Sequence, residues 1–431
     1  MSNFISFIEE KFNNINFNTE IASIQKEAYQ RFCEIGIPTK KHEDWKYLNL
    51  AFLSKLNFDN SKLSNEISNE QIQNLLIPNI KENLIVLVNG NFEPKHSRII
   101  DNNLIIENIK NELPNDEVTK ILNENLKSKH PFSLLNTAFI ENGIYIRISE
   151  SSEIKLPIHI LNVFNNQSDT AYVNTKNIII SEKFSNCKVI QSYHNIGASD
   201  YILNTCTDFQ VNENACLFHY NFQNDDENSV IFSYNQCNQQ KSSFFSDNTI
   251  TLNGKVVRND LRTNLLGENI ESYYNGLYLI DGKSIVDNHT VFNHLAPHCH
   301  SNEFYKGIID DNAKAIFNGR VYVDQIAQKT DAYQQNRNLV ISDNAAIYTK
   351  PELEIYADDV KCSHGATTGK IDENQMFYLM QRGISKPKAR SLLMYTFCAE
   401  IISRIEVPEM KSYIEELVIK RLKADLEKIE V

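Results

Sequence analysis

Cys362 and His364 lie two residues apart in the run DDVKCSHGATTG, residues 358–369. In an extended strand, residues i and i+2 project from the same face about 6.6 Å apart. Both side chains could then reach one iron atom or one edge of a cluster, because thiolate and imidazole are accepted ligands of soft metals and iron-sulfur centres. Two ligands are fewer than the four that closed sites generally use. A packed cysteine beside a hydrogen-bonded histidine therefore remains the alternative.

A second dense stretch, NHLAPHCHSNEFYKG at residues 293–307, contains His294, His298, Cys299 and His300. As a strand it would place His298 and His300 on one face and Cys299 on the other. Three histidines in seven residues permit a metal site. The proline within the stretch is equally compatible with a hydrogen-bonded bend between strands, and we expect the bend.

The composition excludes several classes of protein. The chain has 431 residues and a formal net charge of -12, so it lacks the clustered cations that nucleic-acid binding needs. Its amino terminus, MSNFISFIEEKFNNINF, lacks the pattern of a signal peptide, and no apolar run approaches the ~20 residues that span a bilayer. We therefore expect a cytoplasmic protein that binds neither nucleic acid nor membrane.

The cysteines show no metal-binding or disulfide spacing apart from the pair at residue 362. No CxxC motif joins any two of them, and most are expected to be small buried hydrophobic residues. The eight positions are Cys33, Cys187, Cys206, Cys216, Cys237, Cys299, Cys362 and Cys398.

Several enzyme signatures are absent from the sequence. It contains no GxxxxGK[ST], GxGxxG, GxSxG or HExxH motif. A nucleotidase, dehydrogenase, esterase or metalloprotease is therefore disfavoured. A β-solenoid enzyme that acts alone on a polysaccharide remains the alternative from a different functional class.

The first 82 residues and the last 66 have helical patterns. The segment TEIASIQKEAYQRFCEI, residues 19–35, spaces its apolar positions at three and four and stops at Gly36. After residue 365, Asp372 is a candidate N-cap and Gly383 a candidate C-terminal residue of a first helix, with two more helices following. We predict an amino-terminal helical domain at residues 1–82 and a carboxy-terminal helical domain at residues 366–431.

The middle of the chain, residues 83–365, has the texture of short strands. Runs such as GIYIRIS, KNIIISEKF and SVIFSYNQ recur about every ten residues, at irregular intervals. This pattern predicts an all-β solenoid of unequal coils, with a large β-sandwich or barrel as the rival. The helical domains could cover its exposed ends. Cys362 and His364 lie where the β unit meets the carboxy-terminal helices.

The stretch from Gln328 to Ser385, which begins QKTDAYQQNRN and includes KCSHGATTGKIDENQMFYLMQRG, resembles the SufB/SufD family of the SUF iron-sulfur cluster assembly machine. The resemblance extends to PHCHSNEFYKG, IFNGRVYV and, more loosely, GIPTKKHEDWKYLNL. SufB members typically have EHEATTS where this chain has SHGATTG, and a cysteine in the stretch that corresponds to AYQQNRN. The chain therefore resembles the SufD branch more closely, with a SufB-like scaffold as the alternative.

This resemblance implies a right-handed parallel β-helix flanked by two helical domains. It also implies a non-catalytic scaffold that pairs with SufB through the β-helix and binds the ATPase SufC through its carboxy-terminal helices. ATP hydrolysis by SufC would be coupled to cluster formation and iron acquisition at the SufB interface. His364, and with it Cys362, would contribute to binding iron or a nascent cluster, with SufB supplying the remaining ligands.

The resemblance also points to partner contacts in the first carboxy-terminal helix. Phe377, Tyr378 and Arg382 are candidate SufC contacts, since aromatic residues and arginine are enriched at interface hot spots; the alternative is that the aromatics pack within the helical unit. The implied cofactor is a transient iron-sulfur cluster shared with SufB, with a reduced flavin as a further candidate in the complex. We expect none to be tightly bound to the isolated chain, for which a homodimer also remains open.

Overall fold

A computed structural model describes residues 2–17, 21–61, 63–113, 115–167, 169–197 and 199–422. The helices are α1 (Ser2–Asn13), α2 (Ala22–Ile35), α3 (Asn69–Leu75), α4 (Asp116–Asn125), α5 (Pro131–Ala138), α6 (Glu373–Gln381), α7 (Lys386–Ile402) and α8 (Pro408–Arg421). The strands are β1 (Asn83–Val88), β2 (Asn91–Phe92), β3 (Leu104–Asn108), β4 (Gly143–Ile148), β5 (Ile158–Phe164), β6 (Ala171–Ser181), β7 (Asn186–Asn195), β8 (Tyr201–Val211), β9 (Cys216–Asn224), β10 (Val230–Gln239), β11 (Phe244–Asn253), β12 (Val256–Leu265), β13 (Glu271–Ile280), β14 (Ile285–His294), β15 (His300–Ile309), β16 (Lys314–Val323), β17 (Asp331–Val340), β18 (Ala346–Ile355) and β19 (Lys361–Gly369).

The strands form a parallel β-solenoid of about eight turns. From β4 onward, successive strands alternate between two sheets. The ten-stranded sheet contains β1, β2 and the odd-numbered strands from β5 to β19, and the nine-stranded sheet contains β3 and the even-numbered strands from β4 to β18. The predicted solenoid is confirmed.

The coils of the solenoid differ in length, as the irregular spacing in the sequence predicted. Val230 pairs with Val256, 26 residues later. Lys314 pairs with Ala346, 32 residues later. Loops between the strands absorb these differences, so that the side chains remain stacked in register.

One corner of the coils repeats a left-handed backbone position. Five non-glycine residues there have φ between 57° and 61°: Phe184, Asn214, Ser242, His298 and Lys329. Each donates its backbone N–H to a carbonyl of the following coil, with bonds of 2.6–3.2 Å. These bonds offset the cost of a conformation that β-carbons disfavour.

Strand side chains alternate between the interior of the solenoid and its outer faces. Interior positions such as Val189, Leu217 and Phe245 form one long hydrophobic core. Outward positions on both sheets are also buried, because helices pack over them. This burial on both faces is typical of parallel sheets.

The helices cover the outer faces of the sheets, which differs from the expectation that they would cap the ends. Helices α7 and α8 pack on the ten-stranded sheet over Tyr220, Leu277 and Phe304. Amino-terminal segments and α5 pack on the nine-stranded sheet over Tyr172 and Phe232. The outward side chains of these strands are apolar, so covering the flat faces buries more apolar surface than covering an end.

Two helices interrupt the middle region, which the sequence predicted to be all-β. Helices α4 and α5 lie between β3 and β4, and the residues of α5 are buried. The strands themselves begin at Asn83 and end at Gly369. The exact division into domains at residues 82/83 and 365/366 stays a prediction.

Candidate functional site

The Cys362–His364 pair lies on β19, the outermost strand of the ten-stranded sheet. Cys362 pairs in register with Ala332 of β17, and His364 pairs with Gln334. Cys362 packs against the interior hydrophobic core, and His364 projects from the same face of the strand. The extended geometry expected from the spacing is therefore present, and both side chains belong to the interior side of the last coil.

The two side chains differ in exposure. Cys362 is half-buried, and His364 is exposed. Burial raises the pKa of the Cys362 thiol; Asp331 acts in the same direction, and a backbone hydrogen bond from Ala332 opposes it. Since a thiolate is the form that binds metal, a metal at this position has to displace the thiol proton.

The pair has no complete metal-ligand set around it. Within the residues that the structure describes, no group of three or more His, Cys, Asp or Glu side chains is placed to hold a metal ion. A cluster bound at this edge would need ligands in addition to Cys362 and His364.

The last coil forms an open end of the solenoid, which we define by β18 and β19. Each is the outermost strand of its sheet, and in the described chain no further strand pairs with either. Tyr348, Ile355 and Tyr356 are exposed there, at 39%, 38% and 61%. Unpaired strand edges with exposed apolar side chains are suited to pairing with another chain.

The second dense stretch forms a bend between coils, as we expected. His294 ends β14, is fully buried and has its Nε2 2.8 Å from Ser301 Oγ. His298 occupies the left-handed corner and not a strand, so it does not share a strand face with His300. Cys299 is buried and donates to the carbonyl of Gly267 at 3.2 Å.

A serine, a histidine and a glutamate also form a hydrogen-bonded file that the sequence analysis missed. His159 Nδ1 lies 2.7 Å from Glu82 Oε2, and His159 Nε2 lies 2.8 Å from Ser192 Oγ. Glu82 and His159 are 0% exposed and Ser192 is 1% exposed. A nucleophile must reach its substrate, so this buried file is a structural network that links β5 to β7.

The candidate partner contacts on α6 are exposed. Phe377 and Tyr378 are 63% and 58% exposed, so they do not pack within the helical unit. Arg382 Nη2 donates to Tyr378 Oη at 2.7 Å, and its guanidinium lies 5.0 Å from the Tyr378 ring. A groove of about 450 Å³ between α6 and α7 adjoins Tyr378 and is lined by Leu379, Leu392 and Leu393.

The helix bearing these contacts is specified locally. Asp372 accepts hydrogen bonds from the backbone N–H groups of Asn374 and Gln375 at the amino-terminal end of α6. Gly383, with φ of 84°, follows the other end. Both positions match the caps that the sequence predicted.

The fold and the site define a β-solenoid protein with helices on its faces and a cysteine–histidine pair at an unpaired end. The family model of the SUF system FeS cluster assembly SufBD core domain matches residues 163–397, and that of the SufBD protein N-terminal region matches residues 2–160. The chain belongs to the SufBD family of iron-sulfur cluster assembly proteins.

Individual relatives agree with this assignment. An iron-sulfur cluster assembly SufBD family protein of Synechocystis is 29% identical over 397 residues, which cover 89% of this chain and 87% of the relative. The iron-sulfur cluster assembly protein SufD of Escherichia coli is 28% identical over 400 residues, or 91% of each chain. SufD of Bacillus subtilis is 24% identical over 301 residues, or 68% of each. Among the described residues, no helix is long and apolar enough to cross a bilayer.

Proposed function

We propose that this chain is the SufD-type scaffold of a complex with SufB and SufC. The observation that carries the proposal is the position of Cys362 and His364 at the open end of the solenoid. The β18 and β19 edges pair with SufB, so the two side chains lie at the junction between subunits. The chain itself catalyses no reaction, and ATP hydrolysis belongs to SufC.

The nascent cluster is the cargo of this junction. His364 offers an imidazole nitrogen to iron, and Cys362 offers a thiolate once its proton is displaced. SufB supplies the other ligands, which accounts for the incomplete set on this chain. A reduced flavin in the complex remains a candidate to which no residue is assigned.

The docking surface for SufC is the exposed side of α6. A mechanical connection from that surface to the metal site supports the coupling of ATP hydrolysis to assembly. Lys306 of β15, which is 3% exposed, donates to the Phe397 carbonyl of α7 at 3.0 Å and pairs with Glu400 at 2.5 Å. Displacement of α6 and α7 by SufC would pass through β15 and β17 to β19.

His364→Ala should lower the iron and sulfide content of the complex without preventing its assembly. We expect a loss of about tenfold or more, because removal of even an outer-shell partner of a metal typically costs 10–100-fold in affinity. The measurement is co-expression with SufB and SufC, anaerobic purification, and iron and sulfide analysis. Ser363→Ala is the control, since Ser363 is exposed on the opposite face of the same strand. Equal loading of the histidine variant and wild type would make His364 structural.

Arg382→Ala should weaken binding of SufC while leaving the solenoid folded. The guanidinium orders Tyr378 on the proposed docking surface, and we expect about tenfold weaker affinity, corresponding to loss of about 1.4 kcal/mol. Co-purification and titration calorimetry with SufC measure the change. Arg320→Ala is the control, because Arg320 lies on β16 and pairs only loosely with Glu354, at 3.4 Å. Unchanged binding by the Arg382 variant would remove this residue from the interface.

A further inference from the structure

Three polar side chains face the solenoid interior beneath the open end. Thr290 lies on β14, Glu303 on β15 and Gln334 on β17. They are only 2%, 1% and 1% exposed. Their alternation in the strands places them inward, in the same sense as the core residues Phe292, Tyr305 and Ala332.

The three side chains meet around one glycine. Gln334 Nε2 donates to Glu303 Oε2 at 2.7 Å. A Cβ atom added at Gly319 would lie 2.1 Å from Gln334 Nε2 and 3.0 Å from Glu303 Oε2, so both side chains cross the interior to the opposite sheet. Thr290 is the register partner of Gly319 on that sheet. The absence of a side chain at residue 319 therefore makes room for the glutamate and the glutamine.

This group contains three buried oxygen atoms that lack a hydrogen-bond partner among the described residues. They are Glu303 Oε1, Gln334 Oε1 and Thr290 Oγ1. Buried polar atoms are nearly always satisfied, so a set of unpaired acceptors indicates a missing partner. A carboxylate, an amide carbonyl and a hydroxyl are oxygen ligands that hard divalent cations accept.

The group lies directly below His364. Gln334 is the register partner of both His364 on one side and Glu303 on the other. Adjacent strands are about 4.8 Å apart, so the backbone at Glu303 lies about 10 Å below that at His364. Burial raises the pKa of Glu303 to about 7, although the Thr290 hydroxyl and the Gln334 amide favour its charged form. A proton on this carboxyl could be donated to only one of the other acceptors, whereas a cation can contact all three oxygens.

We propose that Glu303, Gln334 and Thr290 form an inner binding site for a divalent cation, which enters from the open end past His364. The inference rests on the proposed function in one respect, because it gives a cation delivered to His364 a second, oxygen-lined position. The chemical class of the ligand is a divalent first-row transition ion that accepts both imidazole nitrogen and carboxylate oxygen, such as ferrous iron.

Binding of Mn²⁺ to the isolated full-length chain tests the proposal. The probe is the loss of the free Mn²⁺ electron paramagnetic resonance signal near neutral pH, repeated with ferrous iron under anaerobic conditions. We expect one saturable site in the wild type, and an affinity about tenfold lower or less in Glu303→Gln. Glu354→Gln, a half-exposed position on β18, is the matched control and should bind as the wild type does.

Two outcomes would overturn the proposal. One is no saturable binding in the wild type, together with an infrared carbonyl band of a protonated carboxylic acid that Glu303→Gln removes. The other is equal binding by Glu303→Gln and the wild type. The thermal midpoint of Glu303→Gln should not fall below that of the wild type, since the neutral amide avoids burial of a charge, and a preserved midpoint excludes misfolding as the cause of lost binding.

The outcome for the proposed function is read separately. If His364→Ala removes the cluster from the complex with SufB and SufC while Glu303→Gln still binds Mn²⁺ normally, the inner site is wrong and the proposed function stands. If the His364→Ala complex loads normally while Glu303→Gln loses Mn²⁺, the metal role of His364 is wrong and the inner site stands.

Discussion

Arg258→Ala is expected to lower the free energy of unfolding by about 3–5 kcal/mol, because it leaves buried carboxylates without their partner. Arg258 is 1% exposed. Its guanidinium donates to Asp260 at 2.8 and 3.0 Å and to Asp287 at 2.7 Å. It also donates to the carbonyl of Asp44 at 2.8 Å and lies 3.7 Å from the Trp45 ring, so the same side chain attaches the amino-terminal segment to the solenoid.

The pH dependence of this loss has a defined sign. Although burial acts to raise it, Arg258 and His130 hold the pKa of Asp260 well below its usual range. In the wild type, Asp260 therefore contributes stability above its unfolded-state pKa of about 3.9, and this is lost as pH falls through the lower folded value. Without Arg258, burial raises the pKa, so stability is instead lost as pH rises above about 3.9. The difference between variant and wild type should shrink in acid.

Urea unfolding followed by circular dichroism at neutral and acid pH measures both effects. Arg320→Ala is the control, because Arg320 is half-exposed and its single pair at 3.4 Å should contribute about 0–1 kcal/mol. A loss below about 1 kcal/mol for Arg258→Ala at neutral pH would contradict the prediction, since a broken buried pair costs more than that.

Gly276→Ala is expected to cost about 3 kcal/mol by overpacking the solenoid interior. Gly276 of β13 is the register partner of Tyr305, and a Cβ atom there would lie 2.0 Å from the Tyr305 ring. The neighbouring pair is reversed, since Gly307 makes room for the ring of Tyr278 at 1.9 Å. The two rings and two glycines interlock, so neither ring can move aside without displacing the other pair.

The matched control for this substitution is Gly365→Ala on β19. A Cβ atom at Gly365 would meet no atom within 4 Å, and its backbone lies outside the left-handed region. We expect the control to be neutral or more stable by about 0.5 kcal/mol, through the entropy of the unfolded chain. Comparable urea midpoints for the two variants would show that interior packing does not distinguish these glycines.

Local features were predictable because their physical causes lie within a few residues. Period-two alternation indicated the strands, and it also placed Cys362 and His364 on one face without knowledge of their neighbours. The end of α2 at Gly36 and the Asp372 cap of α6 followed from residue types next to the helix ends. Irregular spacing of the strands indicated a solenoid with unequal coils.

Contacts across coils were not predictable from spacing. Glu303 also could have been noticed, as a carboxylate in an apolar run with the same parity as Tyr305 and Ile309, but nothing local indicated that Gln334 would reach it from 31 residues away. Offsets of 26 to 32 residues between coils decide which side chains stack, and a slip of one residue would turn a side chain to the opposite face.

The sequence by itself determined the strands, the helix ends, the solenoid class and the shared face of Cys362 and His364, because short-range periodicity and capping specify them. Only the tertiary structure decided that helices cover the sheet faces, that Arg258 binds Asp44 from 214 residues away, and that the last coil is left unpaired. These features depend on how apolar faces and buried charges find partners across the whole chain, and that is a property of packing and not of local pattern.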